Sequence, residues 1–183
     1  VDECFGEFLD EPEAYSVIPF LEKLPHVFVL KAFTKIYAMA GMRLGYALCS
    51  SGEVLTRISQ VRQPWSVSGL AQRAGIAALK ETEYVLKTRK LIHEQREKME
   101  AALTELGYIV YPSQANYIFF MEKTLEGATD SLYDRMLKQG VLIRSCSNYP
   151  GLDASCYRIC VKTEEENREF LHKLSQCTVS GHN

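Results

Sequence analysis

Phe33-Thr34-Lys35-Ile36-Tyr37-Ala38-Met39-Ala40-Gly41-Met42-Arg43-Leu44-Gly45-Tyr46 is the stretch on which the reading of this chain turns. It is apolar and small-residued, with a single lysine and a single arginine. A lone lysine is ordinarily a solvated surface group. Lys35, however, stands between two short apolar runs, residues 27–30 and 45–49, each of which reads as a strand buried on both faces. A buried ammonium is costly unless it gives up its proton, and an amine that has done so is a nucleophile. Schiff-base chemistry with a carbonyl compound requires such an amine. Arg43 follows eight residues after Lys35 and is suited to bidentate pairing with a phosphate, with the Thr34 hydroxyl as a second donor.

Outward from this segment the pattern is mixed α/β. Residues 53–60 read as a short helix. Ser68 is expected to cap a helix that starts near Leu70 and runs, with a break around Glu81-Thr82, to Leu106, where Gly107 closes it. Beyond it, residues 108–111 and 117–121 read as strands joined by Pro112-Ser113-Gln114-Ala115-Asn116. Residues 130–139 form a helix closed by Gly140, and residues 141–144 and 157–161 are further strands. Thr163, followed by Glu164, Glu165 and Glu166, opens a last helix that reaches about Gln176. The division expected is 1–75, 76–107 as a helical connector, 108–177 as a small α/β domain, and a polar, frayed tail over 178–183. The first piece is too short to close a sheet and core by itself.

Composition bounds the function. The chain has 183 residues, 46% hydrophobic and 24% charged, which is the texture of a globular protein. Lys plus Arg number 21 and Asp plus Glu 23, a formal charge of −2, so neither nucleic acid nor an anionic membrane surface is indicated as a partner. No apolar run approaches the roughly 20 residues of a membrane span, and the first residues lack a signal-peptide pattern. Cysteines at 4, 49, 146, 156, 160 and 177 form no Cys-x-x-Cys pair, and the four histidines show no ligand spacing. No metal site is expected, and the thiols are read as reduced, with Cys156 and Cys160 on one face of a strand.

The segment around Lys35 resembles the lysine motif of the fold-type I pyridoxal-phosphate enzymes, the group that includes the class I/II aminotransferases. In that group a Ser or Thr precedes the Schiff-base lysine, and an Arg eight residues later binds the cofactor phosphate. Thr34, Lys35 and Arg43 match residue by residue, and Ala-Gly-Met-Arg-Leu-Gly-Tyr over 40–46 strengthens the match. Ala32 departs from it, because many relatives carry there a Ser or Thr that also contacts the phosphate. Asp2-Glu3-Cys4-Phe5-Gly6-Glu7-Phe8 is similar to the family's Asp-Glu-x-Tyr/Phe-x-Glu/Asp-Phe element. The resemblance implies that Asp2 holds a carboxylate against the pyridine nitrogen. Phe5 stands where many aminotransferases place a Tyr that bonds the cofactor's phenolic oxygen. For the later part of the chain the resemblance implies that Arg158 grips the substrate carboxylate. It also implies that Arg144 helps to bind the substrate's anionic groups and that Asn116 is a further substrate contact. The string over 141–153, with Trp65, looks closest to the threonine-phosphate decarboxylase and histidinol-phosphate aminotransferase branch.

The resemblance covers residues 1 to about 176 but only the second half of the family's pattern. The glycine-rich phosphate loop, the aromatic stacked on the pyridine ring and the Asn to the phenolic oxygen have no counterpart before Asp2. The implied fold is α/β, the C-terminal part of a fold-type I PLP-dependent transferase: the end of the large mixed-sheet domain and the small C-terminal α/β domain. The implied activity is a pyridoxal 5'-phosphate-dependent aminotransferase acting on an amino acid or amino-acid phosphate, with the Schiff base on Lys35. A homodimer in the cytoplasm, with a small-molecule amino-acid substrate and no nucleic-acid or membrane partner, is the implied setting. The alternatives are an L-threonine-O-3-phosphate decarboxylase, toward which Phe5 and Arg144 lean, and a non-catalytic half-domain that needs a partner chain. The 183 residues alone are expected to be inactive.

Overall fold

The computed structural model describes residues 1–123 and 130–178. The chain divides into two compact units, Val1–Arg89 and a second that begins at Lys90.

The first unit is built on two antiparallel strands, β1 (Val29–Ala32) and β2 (Gly45–Leu48), with Val29 opposite Leu48 and Ala32 opposite Gly45. β1 starts two residues later than the apolar run suggests, because its ends are set by pairing with β2 and not by composition. Glycine is needed at 45, where a Cβ would come within 3.0 Å of the Lys31 carbonyl oxygen. Residues 1–3 lie parallel to β1: the Leu30 amide donates to the Val1 carbonyl at 2.9 Å and the Glu3 amide to the Leu30 carbonyl at 3.0 Å. Three 3-10 turns, Gly6–Phe8, Pro12–Tyr15 and Ile18–Lys23, bring the chain from that edge back to β1.

After β2 come α1 (Gly52–Val61) and α2 (Gly69–Ala78). Ser51 Oγ accepts from the Val54 amide at 3.3 Å and Ser68 Oγ from the Ala71 amide at 3.1 Å, so each helix opens on a serine cap. The break expected near 81 separates α2 from α3 (Thr82–Glu105), which starts in the first unit and continues into the second. The unit's core cluster is small: Phe33, Leu44 and Ala71, with Tyr37, Met39, Met42, Val67 and Ala78 packed against it.

The second unit is a four-stranded antiparallel sheet with helices. Its strands are β3 (Ile109–Tyr111), β4 (Tyr117–Met121), β5 (Arg144–Ser145) and β6 (Cys156–Cys160), in the order β3-β4-β6-β5. β4 alternates cleanly, with Ile118 and Phe120 buried between half-buried neighbours. The helices are α4 (Leu132–Lys138) and α5 (Glu164–Thr178), and they pack on each other. Tyr108, Phe120 and Tyr157 form an aromatic column, with centroids 5.2 Å and 5.9 Å apart. Gly107, at φ +89°, closes α3 in a Schellman turn: its amide donates to the Thr104 carbonyl at 2.9 Å and the Tyr108 amide to the Leu103 carbonyl at 3.1 Å. Gly140 closes α4 in the same way. Thr163 and Glu166 form a reciprocal capping box at the start of α5.

The strand expected over 141–144 shrinks to Arg144–Ser145, since only those residues find partners on β6. Cys156 is buried and Cys160 exposed, although strand alternation puts them on one face. The 153–155 turn closes over Cys156, whose thiol faces Asp153 Oδ1 at 3.7 Å, while Cys160 ends the strand in the open. All six thiols are free. The expected tail, from residue 179 on, lies outside the described residues. Among the described residues no helix is long and apolar enough to cross a membrane, and no cluster of metal-ligating side chains occurs.

Candidate active site

The turn that follows β1 decides where Lys35 points. Phe33 and Ile36 are buried and anchor the turn inward, Thr34 is half-buried, and Lys35 is exposed. The apolar neighbours therefore do not bury Lys35 with them; they occupy the interior and turn it outward. Its Nζ lies over the Phe5 ring, 4.7 Å from the centroid, where the negative face of the ring attracts a cation.

Asp2 reaches the same neighbourhood from the parallel edge of β1. It is exposed, and its Oδ1 accepts from the Cys4 amide at 2.9 Å. Hydrogen bonds from Cys4, the thiol first and then the amide, hold the Asp2 carboxyl below its ordinary range, and nearby positive charge, Lys35 included, adds to them. Burial pushes the Cys4 thiol up, with the Asp2 carboxylate reinforcing the shift. The structure thus groups Asp2, Phe5 and Lys35.

Arg43 and Thr34 belong to the same β1–β2 connection. Arg43 is exposed and left-handed at φ +51°, as is Ala38 at φ +52°, the two flanking the 3-10 turn Ala40–Met42. A non-glycine residue held there costs on the order of 1–2 kcal/mol, a strain that tends to mark functional segments. The Arg43 guanidinium donates to the Ala40 carbonyl at 3.2 Å, which curls it back over its own turn. The Thr34 hydroxyl has no hydrogen-bond partner among the described residues.

One feature of this region was not legible in the sequence. Lys31 Nζ lies 2.8 Å from Glu7 Oε1 and 3.7 Å from Glu3 Oε2, in a pocket where both Glu3 and the Lys31 ammonium are largely shielded from solvent. Burial works against the charged lysine, but the bond to Glu7 and the charges of Glu7 and Glu3 outweigh it and raise the Lys31 pKa above its ordinary value. The signal available in the sequence was a charge, Lys31, directly after the apolar run 27–30, though it names no partner.

In the second unit Arg144 and Arg158 are directly opposite across the β5–β6 ladder. Like charges in that position repel, and neither guanidinium pairs with a carboxylate among the described residues. Each is held by an aromatic face instead: Arg158 Cζ lies 5.1 Å from the Tyr117 ring centroid and Arg144 Cζ 6.0 Å from that of Tyr149. Arg144 also donates to Asn148 Oδ1 at 3.3 Å. Guanidiniums without a carboxylate partner are suited to pairing with anions. Asn116 is not part of this pair. It sits one residue before β4, its carbonyl accepting from the Val161 amide at 2.8 Å. The alternation of β4, carried back one residue, places it with Ile118 and Phe120 and not on the Arg158 face.

Comparison with known proteins supplies the context for these two clusters. The sequence model of the family described as aminotransferase class I and II matches residues 1–174. A histidinol-phosphate aminotransferase of Oleidesulfovibrio alaskensis is 36% identical over 177 residues, covering 96% of this chain and 45% of the relative. A threonine-phosphate decarboxylase of Salmonella typhimurium is 37% identical over 175 residues, covering 95% of this chain and 47% of the relative. The crystal structure of the histidinol-phosphate aminotransferase from Clostridium acetobutylicum superposes with a TM-score of 0.91 at 31% identity, over 97% of this chain and 53% of that one. The chain spans about half the length of the curated relatives it matches.

Proposed function

The chain belongs to the class I and II aminotransferase family and has the mixed α/β fold of the fold-type I enzymes over about half their length, and from that premise we propose that it carries the attachment lysine of a pyridoxal-phosphate enzyme acting on an amino acid or amino-acid phosphate. The observation that carries this reading is that the Lys35 amine lies over the Phe5 ring and that its charge acts on the Asp2 carboxylate.

The donor set fits the cofactor: an amine for its aldehyde, a carboxylate for its ring nitrogen, and a guanidinium with a hydroxyl for its phosphate. When bound, pyridoxal phosphate supplies the aldehyde and an electron-withdrawing ring. Lys35 Nζ is the proposed attachment point and, when free, the group that takes up and returns a proton. The Phe5 face keeps that ammonium from drifting into solvent. The Asp2 carboxylate, whose pKa the Cys4 hydrogen bonds lower, favours a protonated ring nitrogen. Arg43 and Thr34 hold the phosphate. Arg158 grips the substrate carboxylate and Arg144 a second anion; the substrate contact that the resemblance implies for Asn116 is not supported by its place with Ile118 and Phe120. The homodimer and the cytoplasmic setting are carried from the family resemblance.

A specific observation favours a second reading, threonine-phosphate decarboxylation. Phe5 offers no hydroxyl beside Lys35, and the opposed Arg144 and Arg158 suit a substrate with both a carboxylate and a phosphate. The test uses the product of the complete reading frame with pyridoxal phosphate. An absorbance band that borohydride fixes, with the label mapped to Lys35, is the expected result; label on another lysine removes Lys35 from the site. Carbon dioxide release from O-phosphothreonine is then measured beside glutamate-coupled transamination of histidinol phosphate. Carbon dioxide without keto-acid exchange makes the enzyme a decarboxylase, and keto-acid exchange makes it an aminotransferase.

A further inference from the structure

Glu3 is the one buried acidic side chain among the described residues, at 8% exposure, and the chemistry proposed above makes no use of it. Its polar groups are all engaged. The Glu3 amide donates to the Leu30 carbonyl at 3.0 Å, and its carbonyl accepts from the Gly6 amide at 3.0 Å. Oε1 accepts from the Val17 amide at 2.9 Å, and Oε2 accepts from the Ser16 hydroxyl at 2.9 Å and faces Lys31 Nζ at 3.7 Å. Behind Lys31, Glu7 Oε1 lies at 2.8 Å, and Arg89 Nε donates to the Glu7 carbonyl at 3.0 Å. A carboxylate buried with this many partners is costly to move, because any shift leaves a charge or a donor unsatisfied.

Side chains of an extended segment alternate between faces. Asp2 lies opposite Leu30, and both are exposed; Glu3 comes next, on the inner face with Lys31. The segment that carries both acids pairs with β1 over a single bridge. A slip of one residue along β1 would turn Asp2 inward and Glu3 outward. We infer that Glu3 is the positioning residue for Asp2: its ties to Lys31, Ser16 and Val17 lock residues 1–3 in the register that presents the Asp2 carboxylate on the exposed face, opposite Leu30. This inference rests on the reading of Asp2 as the partner of the ring nitrogen.

The experiment titrates the apoprotein, expressed from its complete reading frame, with two ligands. One is pyridoxal phosphate, and the other is its analogue with C–H in place of the ring nitrogen. The two share aldehyde and phosphate, so the ratio of their dissociation constants isolates the ring-nitrogen contact and is insensitive to a general loss of fold. Asp2→Asn is expected to abolish the preference for the nitrogen-bearing ligand. Glu3→Ala is expected to lower it about tenfold, or about 1.4 kcal/mol. Glu3→Gln keeps an acceptor for the Val17 amide and is expected to lower it only about two- to threefold. If Glu3→Ala yields no folded protein, Glu3→Gln decides alone, and an unchanged ratio in it overturns the inference. Proportional loss of both ligands in Glu3→Ala assigns Glu3 to folding only and also overturns it. An unchanged ratio in Asp2→Asn overturns the reading of Asp2 itself, a failure distinct from the other two.

Discussion

In the second unit Ile118, Phe120, Leu132, Met136, Tyr157 and Leu174 are sealed from solvent around a four-stranded sheet, whereas in the first only Val29 and Ile36 are large side chains so enclosed. The first unit leaves Trp65 97% and Val61 83% exposed. Its two strands are supplemented by a one-bridge edge, serine caps and the Glu3–Lys31–Glu7 ion pairs. Apolar burial contributes roughly 25 cal/mol per Å², so the second unit draws its stability from packing. The first depends more on directional polar contacts, and each of these also orients a side chain. Among the described residues the proposed attachment lysine thus stands beside polar contacts, while the arginine pair stands on a well-packed sheet.

The largest expected effect tests that separation. Lys35→Ala should lower turnover of the complete protein on the order of 10⁴-fold and abolish the borohydride-fixed label, with the thermal midpoint unchanged because the side chain is exposed. Lys31→Ala, four residues away, should do the reverse: it keeps the label and lowers the midpoint, since it strands Glu3 without its countercharge. A lowered midpoint in Lys35→Ala would show that the site and the scaffold of the first unit are not separable.

The second comparison concerns packing. Phe120→Ala removes a fully buried ring between Tyr108 and Tyr157 and should cost about 3–5 kcal/mol in urea denaturation. Trp65→Ser, at the most exposed aromatic of the first unit, should stay within about 0.5 kcal/mol. Equal costs would mean that Trp65 is covered in the assembled protein and that the first unit's apolar surface is an interface.

What the sequence revealed follows the range of the interactions involved. Gly107 and Gly140 were legible as helix ends because a left-handed residue is a local demand that glycine alone meets cheaply. Ser68 and Thr163 were legible as caps for the same reason. β1 was displaced by two residues and β5 reduced to two, because strand ends are set by partners distant in the chain. Lys35 was located by its spacing to Arg43, but its exposure was not, since a run of apolar neighbours does not say which of them fill the interior. The Glu3–Lys31 pair and the opposition of Arg144 and Arg158 are products of pairing register, which no local pattern encodes.

The arginine pair gives a third, smaller effect. Arg158→Lys should weaken every amino-acid substrate by about 1.5–3 kcal/mol, because a lysine offers a point charge and no planar fork. Arg144→Lys should weaken only substrates with a second anion. Both variants keep the positive charge opposite its partner, so the cross-strand repulsion persists and the loss read in binding is that of the planar fork. Equal loss of singly and doubly anionic substrates in the Arg144 variant would remove Arg144 from the substrate site.

The smallest effect compares one device in both units. Ser68 caps α2 through the Ala71 amide, and Thr163 caps α5 through the Glu166 amide while Glu166 Oε2 accepts from the Thr163 amide and hydroxyl. Ser68→Ala and Thr163→Ala should each cost about 1 kcal/mol. The two differ in pH dependence. The bond from Lys162, then those from Thr163, hold the Glu166 carboxyl below its ordinary value. A carboxylate with a depressed folded pKa stabilises the fold above its unfolded pKa, and that contribution is lost as pH falls through the folded pKa. The cost of Thr163→Ala should therefore shrink as denaturation is repeated from pH 6 down to about pH 3, while the cost of Ser68→Ala, whose cap carries no ionisable group, stays level. A flat profile for Thr163→Ala would mean that the hydroxyl alone makes the cap and that Glu166 is a bystander.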